Sequence, residues 1–277
     1  MREEIINLPS KAKVVMRQLL FKEENILAKA AKTRRSEMNN ILISILKNCT
    51  VRIEDPGPYD FLKGTQIMDW DKVISGDRVG AMIGLRKISY KEGNKVLISD
   101  VRCQSCRNDF SWEVNLDEDL KYQELPEDSF KRLEAGKPFT VKIDGHEIKF
   151  ILPTGETEAK YQKLRKQNKG RDMASGLRSR IIGVTKPDGE EIHPRDIIDW
   201  LDGEGKGKYP GLTSDDAEDI RDKMDLVDGG IDLEVTADCD DCGSMVRFDL
   251  PFDSIFLPGR GIQERKMKRR GVESSEH

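Results

Sequence analysis

Apolar positions alternate with polar ones on both sides of two short C-x-x-C turns. Counting from the second cysteine of each turn, apolar residues fall four, six and eight places downstream in both: Phe110, Trp112 and Val114 after Cys106, and Val246, Phe248 and Leu250 after Cys242. Leu97 and Val101 precede the first turn; Leu233, Val235 and Ala237 precede the second. A period of two flanking a turn predicts a β-hairpin with the cysteines at its tip. The chain therefore holds two copies of a strand–knuckle–strand unit, a duplicated motif rather than a duplicated domain. The same period returns in FTVKIDGHEIKFIL (139–152), where Asp144-Gly145 is a two-residue hairpin turn signal.

Elsewhere the apolar spacing is helical. Glu23–Ala31 and Ser36–Lys47 read as short amphipathic helices, the second with Met38, Ile41, Leu42, Ile45 and Leu46 on one broad face. That face suits ordinary core packing, with a partner-binding groove as the alternative. DPGPYD (55–60) breaks the helical pattern, and Pro9-Ser10 marks a turn within the mixed basic and apolar first twenty residues. Asp69 or Asp71 is expected to cap a helix through Val73, and Gly76-Asp77-Arg78 to separate it from a second helix over Asp77–Ser89. Residues 117–135 are acidic and turn-rich, and Thr154 is a cap signal for the helix after it. A short helix is expected over Pro194–Leu201. Another is capped by Ser214 or Asp215, points Ile220, Met224 and Leu226 inward, and stops at Gly229-Gly230. The expected fold class is α+β: helical segments with β-hairpins, and two knuckle hairpins brought together around one structural zinc. The expected divisions are an N-terminal helical segment (1–60), helices with the first knuckle and a hairpin (61–150), a helical region with the second knuckle (151–258), and a basic and polar tail (259–277).

Composition narrows the chemistry. The 277 residues include 47 Lys plus Arg against 51 Asp plus Glu, a formal charge of −4 that argues against a global nucleic-acid binder. No run approaches the ~18 apolar residues of a membrane span, and MREEIINLPSKAK lacks the apolar core of a signal peptide, so a soluble intracellular protein is expected. Histidine occurs only at 146, 193 and 277, and neither internal one sits in a nucleophile motif. His146 beside its turn reads as an exposed strand residue, and His193 as a residue at a helix start.

Four of the five cysteines carry the most specific signal. In a reducing compartment, Cys103-x-x-Cys106 and Cys239-x-x-Cys242 read first as ligands of one structural Zn2+, two sulfurs from each tight turn. Knuckles kept by packing without metal, and disulfides, are the alternatives. A thioredoxin-like redox pair would start a helix, whereas strands flank these turns. The 132 residues between Cys106 and Cys239 exceed what a compact zinc ribbon needs. Gly243 suits the turn after the second pair; Arg107 holds the same place after the first and suits it less. Four thiolates leave a zinc no open position for catalysis. Cys49 ends an apolar run and reads as a small buried hydrophobe.

Other signals are weaker. Lys160, Lys163, Arg165, Lys166, Lys169, Arg171, Arg178 and Arg180 crowd into 21 residues and could neutralise phosphates. Only Tyr161 interleaves them, so a solvated helix face or a surface for an acidic protein is the plainer reading. GEGKGK (203–208) lacks phosphate-loop spacing, and Asp238, Asp240 and Asp241 do not form a calcium ladder.

The stretch from Trp70 through Leu120, with Ile231–Pro258, resembles a family from contractile-tailed bacteriophages. The matching order is a WDKV-type helix, GDRVGAMIGLRKISYKEG, strand–CQSC–strand, LPTGETEAK, a helical region, and IDLEVTADCDDC leading into FDLPFDSIFLP. This is similar to the T-even-type baseplate hub protein family, also described as baseplate hub assembly chaperones. The resemblance implies a non-enzymatic part in tail assembly, as a virion component or as a factor that helps the hub form. It implies no catalytic residues, and it places Cys103, Cys106, Cys239 and Cys242 on the family's thiol pairs. The implied partners are other baseplate, hub and tail proteins, in the virion tail or in the host cytoplasm during assembly. The helices of 21–47 and the tail from Arg260 are the candidate contact segments. A zinc-ribbon-like nucleic-acid-binding protein using residues 160–180 is the alternative.

Overall fold

The computed structural model describes residues 2–30, 35–204 and 208–250. The tail expected from Gly259, the FDSIFLP ending and the centre of GEGKGK lie outside these residues. The chain begins with a hairpin, β1 (Glu3–Asn7) and β2 (Lys13–Arg17), in the register Ile5↔Val15. The sequence showed only the Pro9-Ser10 turn here. Val14, Val15 and Met16 are all buried, because β2 lies between β1 and β3 (Thr50–Asp55) and is covered on both faces, which erases alternation. Helices α1 (Phe21–Ala30) and α2 (Arg35–Cys49) connect β2 to β3, close to expectation. Arg17 fastens this unit: it pairs with the fully buried Glu23 of α1 at 2.9 Å and donates to the Asn48 carbonyl of α2 at 2.8 Å.

Residues 69–73 form turns, and a single helix follows, α3 (Ser75–Ser89). Trp70 and Val73 are fully buried, so this segment fills core space rather than coiling. Gly76-Asp77-Arg78 is the first turn of α3, not a break before it. Asp77 is buried and accepts from the Ser10 amide (2.8 Å), the Ser10 hydroxyl (2.6 Å) and the Tyr59 hydroxyl (2.6 Å). Gly76, Gly80 and Gly84 line one side of α3. A methyl on Gly76 would lie 2.0 Å from the Gly229 oxygen, one on Gly80 2.9 Å from Pro9, and one on Gly84 2.6 Å from Ile6. Glycine spacing thus lets the N-terminal hairpin and the returning chain rest directly on the helix.

The chain then forms β4 (Lys95–Arg102), β5 (Asp109–Asn115) and β6 (Lys121–Gln123). Next come α4 (Glu127–Glu134), β7 (Phe139–Ile143), β8 (His146–Phe150), α5 (Gly155–Gln167), α6 (Asp172–Arg180) and β9 (Ile181–Thr185), with β7-β8-β9 as one antiparallel sheet. Thr154 caps α5 as expected, in a reciprocal box with Thr157. Helix α7 (Ile197–Asp202) follows, then α8 (Ser214–Asp225), capped by Thr213 with Asp216 one residue before the expected cap. Ile220 and Met224 are buried as expected, but Leu226 lies past the last turn and is 70% exposed. The last three strands are β10 (Gly230–Asp232), which pairs with β6, and the hairpin β11 (Glu234–Asp238) and β12 (Met245–Asp249). The α+β class holds: eight α-helices and small antiparallel sheets among the described residues.

Buried apolar side chains gather in two clusters. One, the frame, draws on residues 6–120 and 235–250; the other, the lobe, draws on residues 125–224 with Ile74 reaching across. The chain leaves the frame through β6 and returns through β10, and a methyl on Gly229 would lie 2.9 Å from the Leu125 backbone. The lobe is therefore inserted between the two knuckles, with its ends touching. Polar contacts join it to α3: Ser75 N–H donates to the Pro153 carbonyl (2.7 Å), and Arg78 pairs with Glu158.

Candidate metal centre

β4 and β5 pair from Lys95↔Asn115 to Arg102↔Asp109 with one irregularity. Ile98 faces Trp112, yet the next inward pair is Val101 with Phe110, three residues on along one strand and two on the other. The extra residue is a β-bulge, with Asp100 in left-handed backbone (φ 67°). The bulge resets the phase, so Val96 and Ile98 face the core before it and Val101 after it, while Leu97, expected inward, is half-buried. β11 and β12 pair without interruption, and Val235, Ala237 and Val246 are buried as their spacing predicts.

The two tips are built alike. The Cys103 N–H donates to the Asn108 carbonyl (2.9 Å) and the Arg107 N–H to the Cys103 carbonyl (2.9 Å). In the second tip the Cys239 N–H donates to Ser244 (3.0 Å) and the Gly243 N–H to Cys239 (2.9 Å). The residue after the second cysteine is left-handed in both, Arg107 at φ 64° and Gly243 at φ 66°. Glycine enters that region freely and arginine does not, which is why only the second tip looked well suited in sequence.

The structure brings all four cysteines of the two pairs together. Their sulfurs lie within 4.8 Å of one another, with Cys103 to Cys242 at 3.7 Å and Cys106 to Cys239 at 3.6 Å. The first cysteine of each pair thus faces the second of the other, and the first of each is buried while the second is exposed. A tetrahedron with metal–sulfur bonds near 2.3 Å has edges of about 3.8 Å. A disulfide needs about 2.05 Å, so Cys103–Cys242 and Cys106–Cys239 lie near tetrahedral-edge length and well beyond an S–S bond. Among the described residues no other group of three or more potential ligands converges in this way.

Local dipoles already favour thiolate at two positions. The Cys106 backbone N–H holds the Cys103 thiol below its usual range, and the Ser244 hydroxyl and N–H draw Cys242 down to about 6. The Asn108 N–H also pulls on Cys106, but desolvation and the facing thiols outweigh it and push Cys106 up to about 12. Four thiolates this close would repel one another, and a soft divalent cation held by them would remove that conflict with its coordination shell filled. Sequence reasoning missed Ser244 and Asn108, although each stands two residues after the second cysteine of its pair. Cys49 is buried in the frame, where desolvation raises its thiol to about 11, as its apolar setting predicted.

The remaining candidates are dispersed. His146 is half-buried rather than exposed and lies against Trp200 at 5.3 Å, while His193 accepts from the Arg195 N–H (3.3 Å). Much of the basic run is engaged within the lobe. Arg171 pairs with Asp199 and Asp202, Arg165 with Asp172, and Arg178 donates to the Ile181 and Pro194 carbonyls. No helix is long and apolar enough to cross a membrane among the described residues.

A family model described as T4 bacteriophage base plate protein matches residues 1–251. No curated protein and no solved structure matches the chain. The matched span contains the frame, the inserted lobe and all four converging cysteines. The chain belongs to the family of T4 bacteriophage base plate proteins.

Proposed function

We propose that this chain is a non-enzymatic structural protein of the baseplate hub, or a factor that assembles it, held in shape by one Zn2+ on Cys103, Cys106, Cys239 and Cys242. Family membership supports the baseplate setting and the association with other tail proteins. The convergence of four sulfurs from segments 132 residues apart carries the zinc reading. Such an ion ties the two ends of the frame across the inserted lobe, doing without disulfides what a long-loop crosslink does. Full thiolate coordination assigns the metal to structure rather than catalysis.

The nucleic-acid reading loses ground because Arg165, Arg171 and Arg178 already have partners inside the lobe. Elemental analysis of reduced, freshly purified protein is expected to give one zinc per chain; metal-free, folded protein would overturn the zinc reading. A mass-spectrometric census of purified particles tests the hub role, with residence in the baseplate or presence only on assembly intermediates distinguishing component from factor.

A further inference from the structure

One groove of the lobe carries positive charge that the described residues satisfy only in part. It measures about 470 Å3 and lies between β7, α4 and the end of α8. Its floor is apolar, with Phe139, Val141 and Phe150, and the exposed Leu226 adds to its wall. Arg132, Lys142 and Lys223 line it, and no carboxylate does. Arg132 donates to the Pro138 carbonyl and Lys223 lies 3.6 Å from Asp219 on its own helix, whereas Lys142 makes no ion pair among the described residues. β7 is an edge strand of the β7-β8-β9 sheet, and the outward residues Thr140 and Lys142 are exposed. The position of Leu226 is telling: its spacing predicts an inward residue, yet it is 70% exposed beside an apolar floor.

We propose that this groove docks an extended segment of another baseplate protein, alternating acidic and apolar residues, laid along β7 with its apolar side chains against Phe139, Val141 and Leu226. The proposal rests on the baseplate reading for the source of the partner. Edge strands accept added strands through their free backbone groups, and the three cations select for carboxylates on the incoming segment. The basic cluster Arg260, Arg265, Lys266, Lys268, Arg269 and Arg270 sets that stretch of this chain apart from an acidic occupant, and a crosslink within this chain would overturn the proposal.

The test places a photo-crosslinking p-benzoylphenylalanine at Leu226 of the full chain in infected cells collected before lysis, and sequences the crosslinked peptide. The expected product is a net-acidic segment with alternating apolar residues from a different tail protein. A basic or neutral segment, a second copy of this chain, or no crosslink would overturn the proposal. Lys142→Glu combined with Lys223→Glu should lower the crosslink yield by about tenfold, with zinc content and circular dichroism unchanged; an unchanged yield would also overturn it. The particle census is read separately, so a protein missing from the baseplate that still crosslinks to an acidic tail segment would fail the hub-component reading and not the groove.

Discussion

The frame and the lobe solve the problem of closure differently. The lobe is one continuous stretch, and its sheet, helices and core form from neighbours in sequence. The frame is assembled from the two ends of the described chain, residues 2–120 and 231–250, with the whole lobe threaded between them. Joining distant segments costs loop-closure entropy that local contacts do not recover. The four cysteines sit where that cost falls, at the tips of the two hairpins that complete the frame. With 36% of the chain hydrophobic, a crosslink there would add more than it would to a richer core. The four cysteines thus serve the topology of the chain more than any surface or cleft.

The largest expected effect comes from removing the proposed metal crosslink. Cys239→Ser, or chelation under reducing conditions, should lower the unfolding midpoint by about 10 °C or more. Hydrogen exchange should show β11, β12, β4 and β5 losing protection while β7, β8 and β9 keep theirs. Equal loss in both regions would mean that frame and lobe form one cooperative unit.

Next in size is the seam between them. Gly76→Val places side-chain atoms in the space of the Gly229 carbonyl and should destabilise the protein by about 3 kcal/mol, read by urea denaturation. Gly136→Val, at a position with open space but φ 61°, should be milder and confined to the lobe.

A smaller effect separates the buried carboxylate of the frame from the surface ion pairs. Burial raises Asp77 from 3.8 to about 6, against the three hydrogen bonds that favour its charge. The folded state therefore holds this proton more tightly than the unfolded chain does. The associated stability is full below about pH 4 and is lost as pH rises through 6, at about 1.4 kcal/mol for each pH unit between those two values. Asp228, raised to about 6 by burial, acts in the same direction, so Asp77→Asn should flatten the pH 4–7 slope of stability without abolishing it. An unchanged slope would show that Asp77 stays charged throughout.

The smallest effect tests the likeness of the two tips. Arg107→Gly should stabilise the first knuckle by about 0.5–1 kcal/mol, since the left-handed backbone there strains arginine. Gly243→Arg should cost a similar amount in the second.

Much of the site was legible because it is local. Spacing of cysteines and alternating apolar residues located both hairpins, and Asp144-Gly145 located the lobe's first hairpin. The difference between Arg107 and Gly243 is visible in the residue types alone. What escaped was set by contacts far along the chain. β2 shows no alternation because both its faces are covered, and Trp70 and Val73 mimic a helix because core space needs them. The Asp100 bulge moved Leu97 from the expected inward row. The insertion of the lobe left no local mark; it shows only in which buried residues meet, and in Leu125 touching Gly229.

Cobalt substitution reports directly on whether one ion joins the two knuckles. Titrating reduced apoprotein with Co2+ should saturate at one equivalent with the absorption of tetrahedral four-sulfur coordination, and Cys106→Ser and Cys242→Ser, one from each knuckle, should weaken that signal alike. Two equivalents, no sulfur-to-metal band, or a signal that survives the loss of one knuckle would contradict a single ion closing the frame.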